Sequence, residues 1–547
     1  MASNILSIGQ SALAAAQVGI STTGHNIANA ATPGFNRQVV VQGAAQPQNF
    51  GFGFMGQGTE ISTVKRIYNE FLGNQVQSAQ TSKSSLDSYY AQIKQIDNLL
   101  ADPVSGLSPA LQDFFGGIQE VATNPAYLPA RQEALSSAES LASRFQSLAG
   151  RLDEIEQGVN SQIMSSVSII NTYAEQIASL NDAIGKAQRA TGQPPNDLLD
   201  MRDQLVLDLN KEIKATVVKQ GDDGYNVFIG NGQPLVVGAS TFKLASVASP
   251  TDPSKIEVAY QTSSGDMMII GGSGIAGGSL GGLIAFRSQT LEPAQNALGR
   301  VAIGLSSTFN AQHKLGYALD GVTTNLDFFN VATPVVSANG GNTGGATLAA
   351  TIIDPGALTT SDYRLQFDGA NYTVTRLSDN VSFAAGGLPQ THDGVAFDLE
   401  MGSPAPAAGD SFLIRPTVNG ASGFSVAITD PNLIAAASNL GAVGDNGNAL
   451  LLGALQTTNT LNGGTTTYQG AYSQLVSQIG NKTRELEVTS SAAGKLLSEA
   501  NFSLQNESGV NLDEEATNLL RYQQAYQAAG KVMQIASEMF DVLLSLG

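Results

Sequence analysis

The stretch SGVNLDEEATNLLRYQQAYQAAGKVMQIASEMFDVLLSLG, Ser508 to Gly547, decides the architecture. Leu512, Leu519, Tyr526, Met533 and Phe540 recur every seven residues, with Tyr522, Ala529, Ala536 and Leu543 between them. That repeat is the seam of a coiled coil. Asn511 with Glu514 three residues on fits a capping arrangement, and Asp513, Glu514 and Glu515 place negative charge where the helix dipole favours it. From Asp513 to Ser545 such a helix is about 50 Å long at 1.5 Å per residue. It outreaches a small domain and requires a partner of similar length.

The opposite end supplies one. Leu6, Leu13, Ile20 and Ile27 also recur every seven residues, and the small Gly9, Ala16 and Thr23 follow three residues after the first three of them. This seam is narrow enough for another helix to approach closely, and the helix should stop near Thr32-Pro33-Gly34. Further helical stripes lie inside these ends: Leu72 to Leu100, Leu141 to Ile184, a short one around Leu198 to Leu209, and Leu475 to Leu504. Their plain reading is the core of a helical bundle.

Between the helices the period changes to two. Val217, Tyr225 to Ile229 and Leu235 to Val237, punctuated by Asp223-Gly224 and Asn231-Gly232, read as hairpins. A helical block from Gly281 to Gln312 interrupts them, after which Tyr363 to Phe367, a turn at Asp368-Gly369, and Tyr372 to Thr375 read as another hairpin. The expected fold is α+β and multidomain, a discontinuous helical core and coiled coil formed by both termini with β-rich domains inserted. In residues, 1–35 with 508–547 form the terminal coiled coil, and 36–215 with 431–507 and 281–315 the helical core. Residues 216–280 form one β-rich domain and 316–430 an outer β-rich insertion.

Composition narrows the function. A chain of 547 residues corresponds to about three to four domains. Without a cysteine there is no disulfide framework, thiolate metal site or cysteine nucleophile. Acidic residues exceed basic ones, 46 to 27, and no Lys/Arg run offsets the charge of −19, so nucleic acid and anionic membrane are excluded as partners. The start MASNILSIGQ has no basic segment of the secretory kind, and no uninterrupted apolar run of about 18 residues is present. No cofactor, metal or catalytic residue is expected.

The motif matches are explained by the 59 glycines. Gly51-x-Gly53-x-x-Gly56 has the dinucleotide spacing, but Thr59 to Val64 after it reads as a strand, where a helix N-terminus is needed. Gly277-Gly278-Ser279-Leu280-Gly281 matches a nucleophile elbow with His313 and His392 downstream, yet glycines separate Ser279 from the preceding apolar strand. A serine hydrolase built on Ser279 is therefore the alternative of a different class. Asp445-Asn446-Gly447-Asn448 lacks the full acidic loop of a calcium site and reads as a capped turn.

Two strings at opposite ends carry a resemblance. HNIANAATPGFNRQ, His25 to Gln38, resembles the N-terminal signature of bacterial flagellar rod, hook and hook-associated proteins, and Ser508 to Gly547 resembles their C-terminal one. NDLLDMRDQL from Asn196, GYNVFIGNGQPLVVG from Gly224, the segment from Leu280 to Gly316 and GDNGNALLLGALQ from Gly444 resemble the flagellar hook-associated protein 1 family. Its signature falls on Asn26, Asn29, Thr32, Pro33, Gly34, Phe35 and Arg37; Phe35 and Met201 depart from the Tyr and Gln common there.

The resemblance implies a non-enzymatic structural adaptor, a ring joining flexible hook to stiff filament at the flagellar hook–filament junction. It implies export by the flagellar type III apparatus, with self, hook protein, a second junction protein and a chaperone on the C-terminal helix as partners. It also implies terminal helices that are unpaired in the monomer and pair on assembly. Leu6, Leu13, Ile20, Ile27, Leu512, Leu519, Tyr526, Met533 and Phe540 are the expected assembly contacts. A hook or distal rod subunit is the nearest alternative, and an acidic surface adhesin role for the insertion is compatible with either.

Overall fold

The computed structural model describes residues 2–49, 51, 53–102, 106–221, 224–230, 232–262 and 264–545. Asp223 and Asn231 of the expected turns, and the Leu543 side chain, lie outside the described residues. The helices are α1 (Ala2–Ala28), α2 (Glu70–Leu100), α3 (Leu107–Thr123), α4 (Leu128–Thr191), α5 (Asn196–Glu212), α6 (Gly278–Phe286), α7 (Glu292–His313), α8 (Gly447–Ala454), α9 (Tyr468–Ser508) and α10 (Leu512–Ser545). A π-turn, Arg287–Leu291, links α6 to α7, and its buried Arg287 donates to the Ile256 carbonyl and pairs with Glu257.

Helix α4, 64 residues and about 95 Å at 1.5 Å per residue, is the spine. Its apolar stripe from Leu141 through Phe145, Leu152, Val159, Ile163 and Ile170 to Ile184 is fully buried. Helix α2 touches α4, and α9 runs antiparallel to α2, as shown by the pairs Ser490–Asp87 and Asn69–Glu507. Where the chain returns at Pro431, buried Arg131 of α4 donates to the carbonyls of Pro431 and Ile434.

Asparagines on α4 dock the sheets against it. Asn160 bonds the Ser254 carbonyl and Ile256 amide, Asn171 both backbone groups of Leu244, and Asn181 both of Tyr225 plus the Gly238 carbonyl. Spacings of eleven and ten residues are about three helical turns, so the side chains form a row. Each amide substitutes for a neighbouring strand, satisfying backbone groups that burial would otherwise strand without partners. The sheets so held are Ala215–Gln220, Gly224–Ile229, Gln233–Val237 and Ser240–Thr241 in that order, and Met267–Ile269, Ile256–Gln261 and Leu244–Ala248 in theirs. Their inward residues, Val227, Ile229, Leu235, Val236 and Val258, share the core of α4 and α6.

The insertion has a second core, of Leu348, Tyr363, Leu365, Val374, Val395, Phe397, Phe412 and Ile414, which reaches the helices through Ile303 of α7. Tyr363–Phe367 pairs with Tyr372–Arg376 as the alternation predicts, inside a five-stranded sheet. At its base Arg415 pairs with Asp252 at 2.8 Å, Lys255 with Glu292 at 2.9 Å, and Asn296 donates to Asp362 at 2.9 Å.

By length and composition α1 from Asn4 to Ala28 is apolar enough to cross a membrane. Its small residues instead face α10. Gly9 lies against Met533 and Gly19 against the Tyr522 ring, so the two helices run antiparallel within one chain. The terminal helices are thus already paired in the single chain, unlike the unpaired state that the resemblance implies.

His313 gives the core a pH dependence. Fully buried, it faces the Leu326 carbonyl through Nδ1 at 2.8 Å and accepts from the Ala435 amide through Nε2 at 2.9 Å. Only the neutral tautomer protonated at Nδ1 satisfies both. Burial pushes its pKa down to about 4. The unfolded chain therefore binds the extra proton between the ordinary value of about 6.5 and 4, and stability is full above that window and falls as pH drops through it. The loss is about 3 kcal/mol. Urea unfolding followed from pH 7 to pH 4 should show this slope, and His313→Gln should flatten it; an unchanged slope in the variant would refute the assignment.

Candidate assembly interface at the terminal helices

The paired helices use small residues at their contact. In α1 Gly9, Ala16, Gly19, Thr23 and Asn26 are buried, and in α10 Glu515, Ala529 and Ala536 are buried, with Tyr522 and Met533 half-buried. A methyl group on Gly19 would lie 2.5 Å from the Tyr522 ring, and one on Gly9 2.8 Å from Met533, so a larger side chain at either position would hold the axes apart.

The large seam residues are placed differently from a closed two-helix seam. Leu6, Ile27, Leu512, Tyr526 and Phe540 are exposed, and Leu13, Ile20, Leu519 and Met533 are half-buried. The reason is geometric: close approach is possible only along the small-residue stripe, which turns the bulky stripe aside. Leu520, Ile535, Met539 and Val542 are exposed as well, leaving α10 with an apolar outer face.

The signature segment ties this pair to the core. The Asn26 amide donates to the Gln38 carbonyl at 2.9 Å and accepts from its amide at 3.0 Å, and donates also to Glu515 at 3.1 Å. Arg37 completes the clamp, Nε to Glu515 at 2.8 Å and Nη1 to Glu514 at 2.7 Å, while its backbone amide donates to the Ser508 carbonyl. Glu515 is only 2% exposed, a buried carboxylate whose charge is met by a guanidinium and an amide. Asn511 does cap α10, accepting from the Asp513 and Glu514 amides, but the Glu514 side chain is turned to Arg37.

The other signature residues shape the turn. Asn29 bonds His25, Thr32 bonds Asn29, and Phe35 packs edgewise on the His25 ring at 5.4 Å. Pro33 is exposed. Gly34 has a φ of +77°, and a Cβ there would lie 2.7 Å from the Gln204 amide oxygen, so only glycine fits.

Helix α5 takes the other side of the segment. Asp200 accepts from the Asn36 amide and side chain and from Arg66 at 2.7 Å, Arg66 also meets Asp203 at 2.7 Å, and Gln38 donates to Asp197. Burial works against the Arg66 charge, but the carboxylates of Asp203 and Asp200 outweigh it and hold its pKa above the ordinary value. Burial pushes the Asp200 pKa up against the opposing pull of Asn36 and Arg66. These α5 residues and Glu515 carry no periodic signal. Their only trace in the sequence is the density of Asn, Asp and Arg in two short strings.

The weaker motif matches do not form sites. Ser279 begins α6, its hydroxyl bonded to Ser88 at 3.0 Å, while His313 is bound between Leu326 and Ala435 and His392 stacks on Phe383. The glycine motif at Gly51 lies in a hairpin followed by the strand Thr59–Arg66.

Comparison with known proteins places these features in one group. The family model for the flagellar hook-associated protein FlgK helical domain matches residues 93–329, and that for the flagellar hook-associated protein 1, D2-like domain, matches 337–416. The flagella basal body rod protein and FlgEFG C-terminal models match the two ends, 6–36 and 504–546. The chain is 38% identical to flagellar hook-associated protein 1 of Escherichia coli over 100% of both chains, and 25% identical to that of Bacillus subtilis over 98% of this chain and 96% of the other. The solved flagellar hook junction protein FlgK from Burkholderia pseudomallei is 31% identical, with a TM-score of 0.74 over 79% of this chain and 99% of that one.

Glu515→Ala should test the clamp. Leaving Arg37 and the Asn26 amide without their carboxylate should cost about 2 kcal/mol, discounted for the partial exposure of Arg37. Hydrogen exchange should quicken in α1 and α10 and stay unchanged in α4; equal protection in both would show that the clamp does not hold the helix pair.

Proposed function

The chain belongs to the flagellar hook-associated protein 1 family, and from that premise we infer that it is a structural adaptor at the hook–filament junction, closing into a ring that joins hook to filament. The observation that carries the mechanism is the division of the terminal helices into two faces. The small-residue face is used up inside the chain, and the large apolar face of α10 is left in solvent. An exposed apolar stripe of this extent is a protein contact surface. Leu6, Leu13, Ile20, Ile27, Leu512, Leu519, Tyr526 and Phe540 are on this reading the contacts to neighbouring subunits, whereas Met533, expected among them, lies against Gly9 of α1 within the chain.

On this reading the adaptor has no catalytic role; the Ser279 hydroxyl accepts from Ser88, and both His313 ring nitrogens are engaged by Leu326 and Ala435. Its partners are further copies of itself, the hook protein, a second junction protein, and an export chaperone that holds the C-terminal helix before assembly. Export runs through the flagellar type III apparatus. The helical-domain match over 93–329 favours this family over a hook or rod subunit. The terminal coil, the helical core and the insertion with its own apolar core act as separate units of the adaptor.

Burial of the outer face on assembly links folding of the helix pair to ring formation by mass action. Phe540→Asp or Leu519→Asp should therefore leave thermal unfolding of the core unchanged while filaments detach and flagellin is shed into the medium. Normal filament attachment in both variants would sink this reading.

A further inference from the structure

The insertion stands on the helical body through a joint of mixed make-up. Its own apolar core meets α7 through Ile303. Around that contact the joint is polar. Arg415, at the end of the strand Ser411–Arg415, pairs with Asp252 and reaches Asp362 at 3.5 Å, Lys255 pairs with Asp252 at 3.4 Å and with Glu292, and Asn296 bonds the Thr360 carbonyl at 3.2 Å. Asp252, Lys255, Asp362 and Arg415 are all buried. Three carboxylates thus share two cations, and burial makes the surplus charge unfavourable. Burial pushes the Asp362 pKa up despite the pull of Arg415 and Lys255.

The same place leaves polar atoms unmatched. Glu156 Oε1, Gln295 Oε1 and Asn296 Oδ1 are buried acceptors with no partner among the described residues, and Arg300 Nε, Arg415 Nη2 and Thr417 Oγ1 are buried donors with none. Their residues adjoin: Gln295 donates to Glu156, Asn296 to Asp362 beside Arg415, and the Thr417 carbonyl abuts Gly299, next to Arg300. Buried polar groups are matched in nearly all native structures. Donors and acceptors left unmatched side by side are satisfied by a small rearrangement or by admitting water, so this pose has a neighbour close to it in free energy.

A pivot lies beside them. A Cβ on Gly299 would lie 1.7 Å from the Thr417 carbonyl oxygen, and one on Gly420 2.3 Å from the Gly299 carbonyl oxygen, so α7 and the returning chain touch backbone to backbone. No side chain interlocks there to oppose rotation.

We propose that the insertion is hinged on the helical body, swinging about the Gly299–Gly420 contact between the docked pose and an open pose in which Arg415 leaves Asp252 and Asp362. Units joined through a polar interface move relative to one another, whereas a large apolar interface holds them. Arg415 is the latch, and Asp362 carries the surplus charge that works against docking. The hinge belongs to the single chain and does not depend on the junction reading.

The absence of cysteine permits a direct test on the full-length monomer. Nitroxide labels on Ser165→Cys of α4 and Met401→Cys of the insertion, both exposed positions, report the distance between the two units by pulsed electron resonance. The expected result is two distance populations, one of them the docked pose. Asp362→Asn, which equalises the charges and keeps an acceptor for Asn296, should remove the second population. Arg415→Gln, which leaves three carboxylates with one cation, should make it the major one, with the helical circular dichroism of both variants unchanged. Loss of that dichroism in Arg415→Gln would leave the decision to Asp362→Asn. A single docked distance in the chain with its native joint, or a second population that Asp362→Asn does not reduce, would overturn the hinge.

Discussion

The polar tie between the two ends of this chain centres on a buried carboxylate, Glu515. Glu515 begins a long helix that buries little else of its own, and burying its charge is favourable only because Arg37 and Asn26 arrive from the other terminus. The helix pair has few large buried side chains, so apolar area alone would not fix its register. A buried ion pair with one geometrical solution does so, in the way that single polar groups set register in coiled coils. The same segment reaches α5 through Asn36 and Asp200, which makes the coil and the core electrostatically continuous.

A related device holds the sheets. Asn26, Asn171 and Asn181 each present an amide to both backbone groups of one residue, Asn310 does so for Phe329, and Asn160 spans the Ser254 carbonyl and the Ile256 amide. A helix so equipped can carry the edge of a sheet at a defined height and register, which apolar packing alone leaves loose. The long α4 needs this more than a short helix would, since sheet residues meet it at widely separated levels.

Much of the architecture was legible. The heptads of the ends, the α4 stripe, the Tyr363 hairpin and the turn at Thr32-Pro33-Gly34 all rest on local periodicity or on proline and glycine stereochemistry, and such signals survive in a single sequence. The facing of the terminal helices was harder, because the rule that apolar residues fill a seam competes with the rule that small residues permit close approach. Here the second prevails, and Leu6, Leu512 and Phe540 stand outside the contact. The polar clamp was the least legible. Glu515 looks like any acidic residue in a first helical turn, and only the fold brings Arg37 to it. Leu496 shows the remaining difficulty, a stripe position left exposed although α2 runs alongside α9 on both sides of it.

The contact between Asn26 and Glu515 spans 489 positions of sequence. Loop closure on that scale is entropically the most costly step available to the chain, and its contacts form after local ones have condensed. In a chain emerging from one end first, α1 waits without its complement until every other element has passed. The helix pair is thus a completeness check on the molecule: a truncated or stalled chain can build its spine and its sheets, but it cannot close the end on which the outer apolar face is displayed.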